Sequence, residues 1–380
     1  MEPIKMAGKF AECVIHAPIT CVETSALQQI QGFLDHPALE GAKIRIMPDV
    51  HAGAGAVIGF TATITDRVIP NLVGVDIGCG VCAMELAGKV RLEDGDLLAL
   101  DHYIRGHVPS GFSVRSAPHP QFLECGNLHE RVAKVCEATG QDYARVSRGM
   151  GTLGGGNHFI EVDVDERGVP WFVVHTGSRN FGLKIANWHQ RRAKEIRGSM
   201  NGLEWLEGDD AALYYEHMKV AQEYAEMNRM AIIETVVTDY LGVSGTVIES
   251  VHNYVDFKAG IVRKGAISAQ AGEFVVIPWN MRDGSVVGVG KGNAEWNFSA
   301  PHGAGRTMGR GEARRTLSLD AFKAAMAGVW SSCVGKGTLD ESPMAYKDHA
   351  VVEAALADTV DVEHRLRPVY NFKAGAEEKE

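Results

Sequence analysis

The chain has 380 residues, 45% hydrophobic and 23% charged, with a net charge of −10. That balance is ordinary for a globular protein and argues against broad coating of duplex nucleic acid, which usually needs a basic surface; a local basic groove for a nucleic-acid end, or simple solubility, stays compatible with it. No run of about 18 apolar residues suggests a membrane span. The opening MEPIKMAGKFAECVIHAP lacks the basic-then-apolar order of a signal peptide, and seven scattered cysteines fit reduced thiols, so a cytoplasmic location is expected.

In chain order, helical periodicity first appears near 25–36, followed by a strand-like IRIM (44–47). VGVDIGCGVC then turns through glycines and sets Asp76 and Cys79 three residues apart. A carboxylate and a thiolate at that spacing can face one ion; the alternative is a strand end with a buried cysteine and a capping aspartate. Cys79 and Cys82 have redox or zinc spacing, but no second such pair exists to complete a zinc ribbon.

A helix is expected at 127–139. GGGNHFIEV (154–162) follows, whose glycines bring backbone amides close to a phosphate or merely make a turn. Strands FIEVDV (159–164) and WFVVH (171–175) flank the turn-like DERG (165–168). A hairpin centred on the Glu166–Arg167 bond sets His158 directly opposite His175, with Cβ atoms about 4.5–5.5 Å apart. Two imidazoles that close serve one metal or two adjacent ones, and a one-residue slip would undo the pairing.

His175 ends its strand in HTGSRNFG, with Ser178 and Arg179 in the loop beyond. A basic helix at 184–197 carries Arg191, Arg192, Lys194 and Arg197, which suits a phosphate-facing surface or a solvated face. The clearest helix runs from about Asp210 to Leu241, with Asp209 or Asp210 to cap it and Gly242 to end it. Its apolar positions include Leu213, Val220, Tyr224, Met227, Ala231 and Val237. VHNYVDF (251–257) adds His252, a core histidine or a ligand. Asp76, Cys79, His158, His175 and His252 together exceed the needs of one tetrahedral zinc; two adjacent ions sharing a ligand use all five, an arrangement suited to displacement at phosphorus.

A strand at 274–277 precedes SAPHGAGRTMGR (299–310), the most unusual segment. His302 is followed by Gly303, Gly305, Arg306 and Arg310, leaving room for a bulky group on the ring and arginines to hold phosphate oxygens. A neutral imidazole attacks phosphorus when an acceptor holds its other nitrogen; an exposed histidine in a glycine turn is the alternative. A helix near 318–328 and a charged tail, 374–380, complete the chain. The dispersed residues point to one compact α+β domain, 1–373, with mixed β-sheets flanked by helices.

MPDVHAG (47–53), VGVDIGCG (73–80), GTLGGGNHF (151–159), HTGSR (175–179), HNY (252–254), RKGAISAQAG (263–272), HGAGR (302–306) and PMAYKD (343–348) occur in the order seen in RtcB-type RNA ligases, and the chain resembles that family from about Met47 to Lys373. The resemblance implies joining of an RNA 2′,3′-cyclic phosphate or 3′-phosphate end to a 5′-hydroxyl end, using GTP and two manganese ions (Mn2+), in RNA splicing or repair. It implies one ion on Asp76, Cys79 and His158, and a second on Cys79, His175 and His252. His302 would carry GMP and Asp49 would orient it. The guanylate pocket would comprise Asn157, His158, Phe159, Ile160, Glu161, Asn253, Ser285, Gly303, Ala304, Gly305, Tyr346 and Lys373. Arg179, Arg306 and Arg145 would contact RNA phosphates. Nothing in the sequence requires more than a monomer, and the need for an activating partner is left open. Departures include PWNMRDGS (278–285) where family members carry a small-residue loop, which places Trp279 and Arg282 at the pocket, together with Val251 and Gly309. The rival readings are a binuclear metal-dependent phosphoesterase and a metal-stabilised RNA-end-binding protein.

Overall fold

Strands Phe159–Val164 and Pro170–Thr176 form the expected hairpin, but its register is shifted by one residue: Phe159, not His158, lies opposite His175. In the computed structural model, which describes residues 3–88 and 90–375, the cause lies in the turn. Asp165 N donates to Val169 O at 3.0 Å, so the loop has three residues rather than two. Gly168 supplies the left-handed third position at φ 78°, as three-residue hairpin loops require. The Asp165 carboxylate accepts from the N–H groups of Arg167 and Val169, both at 2.9 Å.

This hairpin sits inside a seven-stranded sheet in the order Val247–Val251, Gly80–Glu85, Pro170–Thr176, Phe159–Val164, Val360–Phe372, Gly284–Gly290, Phe274–Asn280. Every neighbouring pair in it is antiparallel. Both faces are covered at its centre, where strand Pro170–Thr176 reads as a nearly continuous apolar run. Ile160, Val162, Phe172 and Val174 pack with Ile232 and Val236 on one face. Phe159, Trp171 and Val173 pack on the other, and the register puts Glu161 and His175 on that second face.

A second sheet has six strands, ordered Ile4–Ala7, Glu12–Ile15, Ile44–His51, Ile58–Thr63, Ile261–Lys264, Asn253–Asp256. Among the described residues, Glu12–Ile15 and Ile44–His51 are the only paired strands that run parallel, which makes this the mixed sheet. Helix Thr24–Leu34 covers it through Ile30 and Phe33, against Ile44, Ile46 and Phe60. The architecture is the expected α+β fold. The part of the proposed tail at 376–380 lies outside the described residues.

The long helix runs Gly208–Ile233 and continues as a π-helical stretch, Glu234–Leu241, ended by left-handed Gly242. Asp209 and Asp210 do not cap it; Glu207 stands at that position without a side-chain cap bond, and both aspartates occupy the first turn, where their charge complements the helix dipole. The buried stripe follows Tyr214, Met218, Ala221 and Tyr224 against Phe181, Ile185 and Ala193 of helix Arg179–Arg197, while Leu213 is half-buried at its margin. The expected helices at 127–139 and 318–328 appear as Leu128–Thr139 and Leu319–Ala325. Helix Asp94–His107 and the 13-residue strand Val360–Phe372 were not anticipated. Among the described residues, no helix is long and apolar enough to cross a membrane.

Candidate active site

The tight turn before strand Gly80–Glu85 needs glycine at 78. Its φ is 72°, and an added Cβ would lie 2.8 Å from the Ala225 Cβ. That turn sets Cys79 Sγ 3.4 Å from His158 Nε2 and 3.3 Å from His175 Nε2. Asp76 Oδ2 lies 2.9 Å from the same His158 nitrogen. The ligand atoms of Cys79, His158 and His175 all fall within 4.8 Å of one another. His158 reaches this cluster from just before its strand, outside the pleat, so the hairpin slip leaves the two histidine rings adjacent at 5.2 Å between centroids. His252 donates its backbone N–H to Cys79 O at 2.9 Å. Its ring lies 5.1 Å from that of His175 and 5.0 Å from that of His302.

The surroundings of these groups suit a cation. His158 Nδ1 faces Leu153 O at 3.0 Å and His175 Nδ1 faces Asn157 O at 3.2 Å. Backbone carbonyls that take the Nδ1 proton leave Nε2 as the ligating nitrogen. Asp76 Oδ1 and His252 Nδ1 are buried without a hydrogen-bond partner, a costly state that a bound ion relieves. Burial, then the Asp76 carboxylate, pushes the Cys79 thiol well up; a cation at the sulfur reverses that balance. Burial, then neighbouring histidines, pushes His175 and His252 down, so both are neutral imidazoles. Burial alone would raise Asp76, but the His158 hydrogen bond and the charges of His158 and Arg179 outweigh it and hold the carboxyl below its usual range. Oxygen, thiolate and imidazole donors in one cluster fit first-row divalent metals.

His302 follows strand Ser299–Pro301. Its Nδ1 donates to Asp49 Oδ2 at 2.6 Å, and its backbone N–H donates to the same oxygen at 3.1 Å. Asp49, in strand Ile44–His51, is fully buried. Gly305, at φ 72°, lets the following loop lie against Asp49, whose carbonyl oxygen would be 2.5 Å from an added Cβ. The His302 side chain is 18% exposed, which leaves Nε2 for the adjoining cavity.

That cavity, about 100 Å³, is lined by Asn157, Phe159, Glu161, His175 and His252, and by the 302–306 loop, Tyr346 and Lys373. Further walls to which the sequence assigns no role include Glu341, His51, Asn280 and Met281. Trp279, from the departing 278–285 loop, is also a wall, whereas Arg282 pairs with Asp283 at 2.7 Å and does not line the cavity. Ile160 packs in the apolar core on the other face of its strand. Asn253 binds Gly265 N through Oδ1 at 3.0 Å and lies off the cavity. Ser285 is buried with an unpartnered hydroxyl and does not line the cavity either.

Glu341 organises the cationic wall. Its fully buried carboxylate accepts from Tyr346 at 2.7 Å and pairs with Lys373 at 3.2 Å, Arg306 at 3.5 Å and Arg310. Arg306 also donates to Met308 O and Asp340 O, at 3.1 and 2.6 Å. Arg306 is therefore not grouped with Arg145 and Arg179. Those two line a second cavity of about 490 Å³ that begins at Asp76, the opposite end of the donor row from His302. Arg179 spans Thr152 Oγ1 at 3.3 Å, Gly111 O at 3.2 Å and the His158 ring at 3.2 Å.

A family model described as tRNA-splicing ligase RtcB matches residues 29–374. The chain is 33% identical to the RNA-splicing ligase RtcB of Escherichia coli K12, covering 93% of this chain and 95% of that one. It is 28% identical to the RNA-splicing ligase RtcB of Mycobacterium tuberculosis, covering 81% and 91%. The tRNA-splicing ligase RtcB of Aeropyrum pernix is 26% identical, over 97% and 99% of the two chains.

Proposed function

The chain belongs to the RtcB family of RNA ligases, and we propose that it joins a 3′-phosphate or 2′,3′-cyclic phosphate RNA end to a 5′-hydroxyl end through a GMP carried on His302, with GTP as donor and manganese as metal. The observation that carries this reading is the 2.6 Å contact between Asp49 and His302 Nδ1, one histidine ring away from the Cys79–His158–His175 cluster. A histidine held at Nδ1 by a buried carboxylate presents Nε2 as a nucleophile.

In the proposed sequence, the Nε2–phosphorus bond forms at the α-phosphate of GTP and pyrophosphate leaves. A 3′-phosphate oxygen of RNA then takes the GMP, breaking the N–P bond; a cyclic phosphate is first opened by water. Finally the 5′-hydroxyl oxygen bonds to the 3′-phosphorus, GMP leaves with the bonding electrons, and the hydroxyl proton passes to water.

Asp76, Cys79 and His158 would hold one cation, and Cys79, His175 and His252 the other. When bound, the pair supplies charge neutralisation at the transferring phosphate. Glu161 supplies an acceptor for the two adjacent N–H groups of guanine. Lys373, with Arg306 and Arg310, faces phosphate, and Phe159, under the Lys373 ammonium at 5.2 Å, faces the base. The cavity of about 100 Å³ is smaller than the roughly 300 Å³ that ligand sites usually offer, so nucleotide entry requires its lining to open. Arg179 and Arg145 serve RNA phosphates. A cytoplasmic, monomeric enzyme of RNA splicing or repair completes this reading.

Intact-protein mass spectrometry after incubation with manganese and GTP tests it. A gain of one GMP, absent in His302→Ala, is expected. No adduct with any divalent metal would leave a binuclear phosphoesterase as the better account of the same donors.

A further inference from the structure

The cavity at the Asp76 end has an unusual mouth. Phe112, Val75 and Leu183 stand there 60%, 40% and 37% exposed. Single exposed apolar side chains need no explanation, but three around one opening mark a contact surface. Behind them the walls are apolar at Val146 and Phe181, while Arg145, Arg179 and Lys184 supply positive charge. The acidic Asp142 is engaged locally, accepting from Ala144 N at 2.9 Å as the cap of helix Tyr143–Ser147.

Phe112 is held by its backbone and left open at its ring. Arg145 Nη2 donates to Phe112 O at 2.8 Å, and Arg179 Nη2 donates to the preceding carbonyl, Gly111 O, at 3.2 Å. An exposed aromatic ring beside arginine and lysine is the chemistry that receives an unpaired nucleotide, with the base on the ring and phosphates on the cations.

Building on the ligase reading above, we propose that this cavity binds the first nucleotide of the 5′-hydroxyl RNA strand, with its base stacked on Phe112. In-line displacement fixes which strand it takes. In the joining step the entering 5′-oxygen and the leaving GMP oxygen lie roughly in line across the 3′-phosphorus. GMP leaves toward the His302 end of the donor row. The 5′-oxygen therefore enters from the Asp76 end, where this cavity opens, and the 3′-phosphate strand is excluded from it.

The test uses the full chain and two oligoribonucleotides. One is 5′-hydroxyl-ended with 2-aminopurine as its first nucleotide; the other is 3′-phosphate-ended with 2-aminopurine as its last. Stacking on Phe112 quenches the first probe. Phe112→Ala weakens its binding about 5- to 150-fold, the range of one base–aromatic stack, while Phe112→Trp retains binding. The second probe is indifferent to both changes. In ligation assays, Phe112→Ala forms the His302 adduct and the guanylylated RNA 3′ end at wild-type rates and slows only joining. The assignment is overturned if the 3′ probe depends on Phe112, if the 5′ probe does not, or if Phe112→Ala slows activation of the 3′ end. The adduct mass reads the ligase chemistry and the fluorescence reads the cavity, so the two ideas fail separately.

Discussion

One carboxylate oxygen, Asp49 Oδ2, accepts both the ring Nδ1–H and the backbone N–H of His302, at 2.6 and 3.1 Å. The ring is thereby fixed in orientation and tautomer by a group with no solvent exposure. Asp49→Asn preserves the shape but removes the charge that stabilises a developing positive imidazole. Its rate of GMP-adduct formation should fall by about 10²- to 10⁴-fold, the usual worth of positioned acid–base assistance. A time course of adduct mass measures this, and wild-type kinetics in Asp49→Asn would remove the orienting role.

Cys79 is the residue in contact with both His158 and His175, so its loss should reach both proposed metal positions. Cys79→Ala is expected to lose bound manganese at both, whereas Asp76→Asn weakens one and spares the other, as read by metal analysis after desalting. Ligand linkage adds about 2.7 kcal/mol at a hundredfold excess over Kd. Manganese should accordingly raise the wild-type Tm by several degrees and chelation should lower it, with Cys79→Ala insensitive to either. A wild-type Tm indifferent to divalent metals would contradict the site.

The donor residues were legible because each stands at a strand end beside a glycine turn: Cys79 and His158 come immediately before their strands, and His175 lies near the end of its own. The hairpin strands were legible for the same reason, and its register was not. The left-handed Gly168 adds a third loop residue that the alternation pattern does not encode. Helix Asp94–His107 was hidden by a polar residue on its apolar stripe: buried Asp101 accepts from Tyr370 at 3.0 Å and Arg105 at 2.8 Å. Strand Val360–Phe372 was hidden by Pro368, which sits at a bulge, and by its exposed arginines. Glu341 had no local signal, because its cationic partners Arg306, Arg310 and Lys373 come from separate segments.

Burial, opposed in part by Asn371 and Lys373, pushes Glu161 up to about 7. An acceptor for guanine N–H groups must be ionised, so the binding-competent form is lost as pH falls through 7. KM for GTP in adduct formation should rise about tenfold per pH unit below that value. Glu161→Gln should bind GTP more weakly and lose the dependence. A flat KM between pH 6 and 8 in the wild type would exclude Glu161 from guanine recognition.

His189 and His217 form a buried pair between helices Arg179–Arg197 and Gly208–Ile233, with Nε2 of one 3.0 Å from Nδ1 of the other. Burial, then the neighbouring His217, pushes His189 down to about 3, and burial lowers His217 as well. In the unfolded chain both titrate near about 6.5. Between roughly pH 6.5 and 3 the unfolded state binds protons that the folded state refuses, so stability present above pH 6.5 is lost as pH falls. His189→Gln keeps a side chain able to donate to His217 Nδ1 and removes one titrating group. Its stability should decline with falling pH less steeply than the wild type, by up to about 1.4 kcal/mol per pH unit, one proton's worth. Urea unfolding at pH 7.5, 6 and 5 on chelated protein measures the slopes. Equal slopes for the two proteins would mean that the pair accepts its proton without loss of packing.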